Sequence, residues 1–226
     1  MVKMSVIKRM RELYFSTEET EKLDEIVILY DAVKAVILFG EEISPSNVTL
    51  PQILKELRDV LDHLMRVVAA KIGTKAAPTE GYVKINLDKA FSHVYRSAYD
   101  ALDWISIILR MEISVELDGY STSAIEASMP AYYTTIKPRL DIAIPEKIAR
   151  IRGMKDIGVP EPKSIAEYAD LVEELKGYRE TVIGAKPSLI DYSKRERRTK
   201  LKQYLIGALV GAAITGLGVA LRMVLT

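Results

Sequence analysis

Cysteine is absent from this chain of 226 residues, which excludes disulfides, thiolate metal sites and cysteine nucleophiles together. Histidine is nearly absent: only His63 and His93 occur, so any imidazole chemistry must use one or both. A carboxylate-bridged two-metal site in a helical bundle needs Glu-x-x-His pairs on two helices, and the residues three before the histidines are Val60 and Ala90. That pattern therefore fails. There is no glycine-rich phosphate loop, no H-E-x-x-H pair and no nucleophile elbow, so neither a metal nor a cofactor is expected. Side-chain amides are also scarce, with Asn only at 47 and 86 and Gln only at 52 and 203, beside 32 basic and 31 acidic residues. Such a balance is the compositional habit of proteins from hot environments. A formal net charge of +1 gives the molecule as a whole no strong pull toward nucleic acid.

What the chain does have is helical periodicity, with no strict alternation long enough for a sheet, no internal repeat and no low-complexity tract. The expected fold is all-α, a helical bundle with a single C-terminal transmembrane helix. Ser16 and Glu19 form a capping box for a helix expected to run to Phe39 and stop at Gly40. Being apolar nearly all round, it is expected at the bundle centre. Thr49, Pro51 and Gln52 suggest a second capped start, with a stripe through Ile53, Leu57, Val60, Leu61, Leu64, Val67 and Val68 that ends near Gly73. Asn86 is expected to cap a third helix reaching to about Gly119. Pro130, Pro138 and Pro145 then break or kink the pattern. Ser164 and Glu167 box another helix, which GAKPS at 184–188 is expected to end, and Ser188 would start the last one. Trp104 is expected in the core. The reading gives a bundle core over 1–119, additional helices over 120–193, a basic juxtamembrane segment over 194–202 and a transmembrane helix over 203–226.

That last helix rests on the run YLIGALVGAAITGLGVAL, Tyr204 to Leu221, preceded by Lys194, Arg195, Arg197, Arg198, Lys200 and Lys202. Eighteen helical residues cover about 27 Å, close to the roughly 30 Å hydrocarbon core of a bilayer. Because residues 1–12 contain no apolar h-region, the expectation is a single-pass membrane protein whose N-terminal domain is cytoplasmic, with the basic cluster on the inner side. Gly207 and Gly211 form a GxxxG that would let two such helices approach closely, giving a homo-oligomer. The basic cluster itself reads either as a topology signal, as a contact to anionic membrane lipid, or as a contact to RNA.

One constellation could carry chemistry. In the second helix Arg58, the polar Asp59 and His63 stand as R-D-x3-H, a spacing similar to the R-x4-6-H motif of the HEPN superfamily, helical bundles many of which are metal-independent ribonucleases. The resemblance covers about residues 17–112. It implies a dimer whose paired helices bring both motifs to one cleft, with Arg58 and His63 acting on RNA and Asp59 orienting Arg58. Such chemistry is coherent, since an imidazole moves protons near neutral pH and a guanidinium steadies charge on phosphorus. On a helix Arg58 and His63 lie about 140° apart and would flank a groove without touching. The same residues also read as a solvated face with Lys55, Glu56, Asp62 and Arg66 in weak i,i+4 pairs. His93, Arg96, Asp100 and Asp103 share helical spacing on the third helix, as a second polar wall or as a salt-bridged outer face. The functional expectation is a membrane-tethered ribonuclease effector of a prokaryotic defence or stress system. The alternative is a non-catalytic membrane adaptor or bilayer-perturbing effector that self-associates through its glycine-rich helix.

Overall fold

The computed structural model describes residues 13–44, 48–74, 79–155 and 162–225, with side chains left out at 154, 155, 162 and 217–225. All described regular structure is helical, without strands, as the periodicity requires. Six α-helices follow in order: α1 Thr17–Ile43, α2 Pro51–Lys71, α3 Tyr82–Leu117, α4 Thr122–Ser128, α5 Ile144–Lys155 and α6 Pro162–Leu225. Two π-helical stretches, Tyr132–Ile136 and Arg139–Ala143, lie between α4 and α5. They fall among Pro130, Pro138 and Pro145, each of which removes a backbone donor from the regular i→i+4 ladder.

The chain forms two compact units, Met1–Glu112 with Ile142–Lys176, and Ile113–Asp141 with Gly177–Thr226. In the first unit α3 supplies the deepest residues: Ala90, Val94, Tyr99, Ala101, Ile105 and Leu109 are essentially without solvent contact. The expectation that α1 is central does not hold. Only Ile26, Val33, Ile37 and Gly40 of α1 are buried, while Val27, Ile28 and Leu38 face solvent. Nor does Gly40 end that helix, which continues to Ile43. Gly40 is required for a different reason: a Cβ there would lie 2.2 Å from Cζ3 of Trp104, whose ring packs against its backbone. The Ser16–Glu19 capping box is present as expected, Ser16 N–H donating to Glu19 Oε2 at 2.8 Å and Glu19 N–H to Ser16 Oγ at 3.3 Å.

Other starts differ from the sequence reading because the polar side chains have tertiary partners. Leu50 is the N-cap of α2, and Thr49 gives its hydroxyl proton to Glu41. Helix α3 begins at Tyr82, which leaves Asn86 one turn inside it and buried. Ser164 also lies inside its helix, in a buried hydroxyl cluster with Tyr95 (3.2 Å) and Tyr99 (2.5 Å). A neighbouring set joins Tyr168 to Asp103, which Arg152 meets at 2.7 Å.

In the second unit α6 continues through Pro187 without ending, although an internal proline normally costs about 3 kcal/mol. Val182 and Leu189, on either side of it, are fully buried, and this burial holds the helix together. Ser121 caps α4 and donates its hydroxyl proton to Glu196 at 2.8 Å, while Lys186 pairs with Glu116.

The single-pass anchor is not supported. Among the described residues no helix is long and apolar enough to cross a membrane. Of the run read as the span, Tyr204–Gly216 is described with side chains, and 217–221 lie outside the residues so described. With the span goes the topology argument that placed the N-terminal domain in the cytoplasm. Gly207 and Gly211 lie in this exposed stretch of α6, with nothing within 4 Å of where a Cβ would be.

Candidate acid–base site

Helix α2 does not bury the stripe its apolar residues suggest. The buried positions are Ile53, Glu56, Val60, His63 and Val67, whereas Leu61 is exposed. Two polar side chains thus occupy alternate turns of a core-facing stripe, at steps of three and four residues. A buried carboxylate or imidazole is tolerated only when its hydrogen bonds are made, and α3 makes them.

His63 is 9 % exposed. Its Nδ1 lies 2.9 Å from Asn86 Oδ1, and Asn86 is oriented by its own Nδ2, which donates to the Tyr82 carbonyl at 2.8 Å. With the amide nitrogen committed, Oδ1 accepts, so His63 Nδ1 carries the proton. One face of the His63 ring stacks on His93, the centroids 5.3 Å apart and the planes 23° from parallel. His93 Nδ1 is 2.8 Å from Glu56 Oε2 and 2.7 Å from Arg96 Nη2. Arginine can only donate, and the carboxylate is the stronger partner, so His93 Nδ1–H points to Glu56. Arg96 reaches the same carboxylate through Nε at 2.9 Å, and Gln52 donates to Glu56 Oε1 at 3.0 Å. Burial pushes the Glu56 carboxyl up, but the hydrogen bonds from His93 and Arg96 and their charges outweigh it and hold the group below the usual range.

The outcome is two imidazoles in the same tautomer. Each is anchored at Nδ1 and keeps its Nε2 lone pair free of any hydrogen bond to a described residue. A carboxylate holding one ring while the opposite nitrogen faces the reaction is the orienting logic of acid–base triads. Arg96, 42 % exposed, adds a fixed cation at the rim.

The residues singled out in the sequence take different positions. Arg58 is 70 % exposed and pairs with its neighbour Asp59 at 2.8 Å, which holds the Asp59 carboxyl below its ordinary value. His63 turns inward, so the two ends of the R-x4-H spacing are not in contact. Asp62 and Arg66 pair at 2.5 Å on the outer face of α2. Of the polar row on α3, His93 and Arg96 turn to Glu56, and Asp103 turns to Arg152 and Tyr168. Sequence reasoning missed the partnership of His63 with His93 and the roles of Glu56 and Asn86. A signal was present: Glu56, Val60, His63 and Val67 follow one another at steps of four, three and four residues, the spacing of one helix face, and the chain's two histidines stand on adjacent helices. Among the described residues no group of three or more His, Asp or Glu is placed to hold a metal ion.

Comparison with known proteins finds no matching family model, no matching curated protein and no matching solved structure. The resemblance to the HEPN superfamily is therefore withdrawn, since no family evidence supports it.

Proposed function

We propose that the α2–α3 site is an acid–base centre that cleaves RNA through the substrate's own 2′-hydroxyl. The observation that supports this reading is the His63–His93 stack, with both Nδ1 atoms anchored and neither Nε2 hydrogen-bonded to a described residue. One imidazole takes the 2′-hydroxyl proton at Nε2 as the 2′-oxygen bonds to phosphorus. The P–O5′ bond breaks, and the 5′-oxygen leaves with the proton of the other ring, which enters the reaction as an imidazolium. The products are a 2′,3′-cyclic phosphate and a 5′-hydroxyl, and the proton count closes. Assigning base and acid to different rings also avoids two imidazolium charges 5.3 Å apart. Arg96 supplies positive charge for the non-bridging phosphate oxygens, Glu56 positions His93, and Asn86 positions His63. Arg58, on the exposed flank of α2, is a further contact for the phosphate backbone.

The test is incubation of the full chain with labelled single-stranded RNA in EDTA, beside His63→Asn, His93→Asn and Arg96→Gln, each checked for folding by circular dichroism. Wild type is expected to cut, the histidine variants to be at least about 100-fold slower, and DNA of the same sequence to stay intact. Uncut RNA, or cutting that ignores both histidines, overturns the reading.

A second reading has its own support: Leu205, Ile206, Leu209, Val210 and Ile214 of α6 are all more than half exposed. It makes the protein a self-associating adaptor without catalysis. Sedimentation of Leu205→Lys/Leu209→Lys against wild type tests it, and a monomer in both cases removes it.

A further inference from the structure

The sequence attaches six basic residues and one acidic residue to the nine positions from Lys194 to Lys202, which leaves the rest of the chain with 26 basic against 30 acidic residues. The positive charge of this protein is thus segregated into two and a half turns of α6, where charges of both signs would ordinarily be mixed. The one carboxylate inside the block, Glu196, is occupied by the Ser121 hydroxyl at 2.8 Å and by Lys200 Nζ at 2.8 Å. Lys194, Arg195, Arg197, Arg198 and Lys202 are exposed and form no ion pair with any described residue.

Their placement on the helix is ordered. Lys194, Arg198 and Lys202 stand at i, i+4 and i+8, so they line one side of α6 at intervals of about 6 Å. Arg195 and Arg197 broaden the line to either side. Tyr204 follows Arg197 by seven residues and is 75 % exposed, and Tyr192, three residues before Arg195, is half-buried. Tyr192 and Arg195 also line an open groove of about 410 Å³ with Thr199, Gln203 and the paired Glu196 and Lys200. A row of unpaired cations with aromatic rings at its edges is what a single-stranded nucleic acid requires. The phosphates need repeated positive charge, arginine offers them a bidentate fork, and unpaired bases stack on exposed rings.

We infer that this face of α6 is a binding surface for single-stranded RNA, separate in the chain from the α2–α3 site. The choice of RNA over single-stranded DNA rests on the acid–base reading above; the binding of a single-stranded polyanion does not.

The test measures binding of the full chain to a fluorescent 2′-O-methyl RNA, which offers no 2′-hydroxyl for cleavage, over a series of salt concentrations. Each phosphate contact contributes about 0.7 to the slope of log affinity against log salt on single strands. The variant Lys194→Gln/Arg198→Gln/Lys202→Gln is expected to lower that slope by about 2 and to weaken binding at least tenfold at low salt. Tyr204→Ser is expected to weaken binding roughly tenfold with the slope unchanged. Lys200→Gln removes a cation already paired with Glu196 and is expected to change the slope least, which separates an ordered row from net charge alone. Equal losses for Lys200→Gln and Lys202→Gln, or a slope unaltered in the triple variant, overturn the proposal. So does triple-variant-sensitive binding to anionic phosphatidylserine vesicles with none to RNA. Binding without cleavage of unmodified RNA retains the surface and removes only the nuclease reading. Binding of single-stranded DNA equal to that of RNA retains the polyanion surface and overturns the assignment to RNA.

Discussion

Replacing Glu56 with glutamine removes one negative charge from the seam between α2 and α3 while keeping the side-chain shape. The carboxylate accepts hydrogen bonds from His93 at 2.8 Å, Arg96 at 2.9 Å and Gln52 at 3.0 Å. Bonds to a charged group contribute about 1.5–3 kcal/mol each. The Arg96 side chain is 42 % exposed, so water screens its share. A net loss of about 1–2 kcal/mol at neutral pH follows. The pH dependence gives the sharper test. Burial raises the Glu56 pKa, yet His93 and Arg96 bring it below the ordinary value. A carboxyl depressed in the folded state stabilises above its unfolded pKa of about 4.3, and that stability is lost as pH falls through the folded pKa. Glutamine does not titrate. The gap between wild type and Glu56→Gln is therefore expected to be full at pH 7, to narrow below about pH 4 and to vanish where Glu56 is protonated. Urea midpoints at several pH values, with the slope of unfolding held common, read this directly. Equal stability at neutral pH, or a gap that persists in acid, would refute the assignment of Glu56 as the charged anchor of the site.

Two further predictions concern packing. Gly40→Ala would set a methyl 2.2 Å from Cζ3 and 2.7 Å from Cη2 of buried Trp104. Overpacking of about 1–3 kcal/mol outweighs the 0.5–1 kcal/mol that alanine gains in a helix, so the thermal midpoint is expected to fall, and to recover partly with Trp104→Leu. An unchanged or higher midpoint for the single variant contradicts this. Ser97 is fully buried, and its hydroxyl has no partner among the described residues. Ser97→Ala should therefore raise stability by about 1 kcal/mol in urea unfolding, and a loss would reveal an unseen partner.

The helical class, the Ser16 cap and the burial of Trp104 were all legible in the sequence because each depends on local spacing or on one residue's apolarity. The helix starts at Thr49, Asn86 and Ser164 were misread for a common reason. Each offers a hydroxyl or amide that local rules assign to a cap, and each spends it on a distant partner: Glu41, His63, and the Tyr95–Tyr99 pair. Pro187 misled in the opposite direction, since burial of Val182 and Leu189 overrides a local breaker. At the site, His63 was legible as a residue of interest, whereas its partner was sought five residues upstream on the same helix. Periodicity alone could not show that Glu56 and His63 share the buried stripe, because that depends on what α3 presents opposite them. The long apolar end of α6 was read as a membrane span on length, whereas among the described residues no helix is long and apolar enough to cross a membrane.

The central claim is that His63 and His93 act together on a 2′-hydroxyl. The most direct measurement uses the full chain in EDTA on an RNA that is 2′-O-methylated at every position but one. Expected are a single cut on the 3′ side of the free hydroxyl, a 2′,3′-cyclic phosphate end, and loss of the cut in both His63→Asn and His93→Asn. An intact strand, a cut elsewhere, or an undiminished cut in both variants would contradict it.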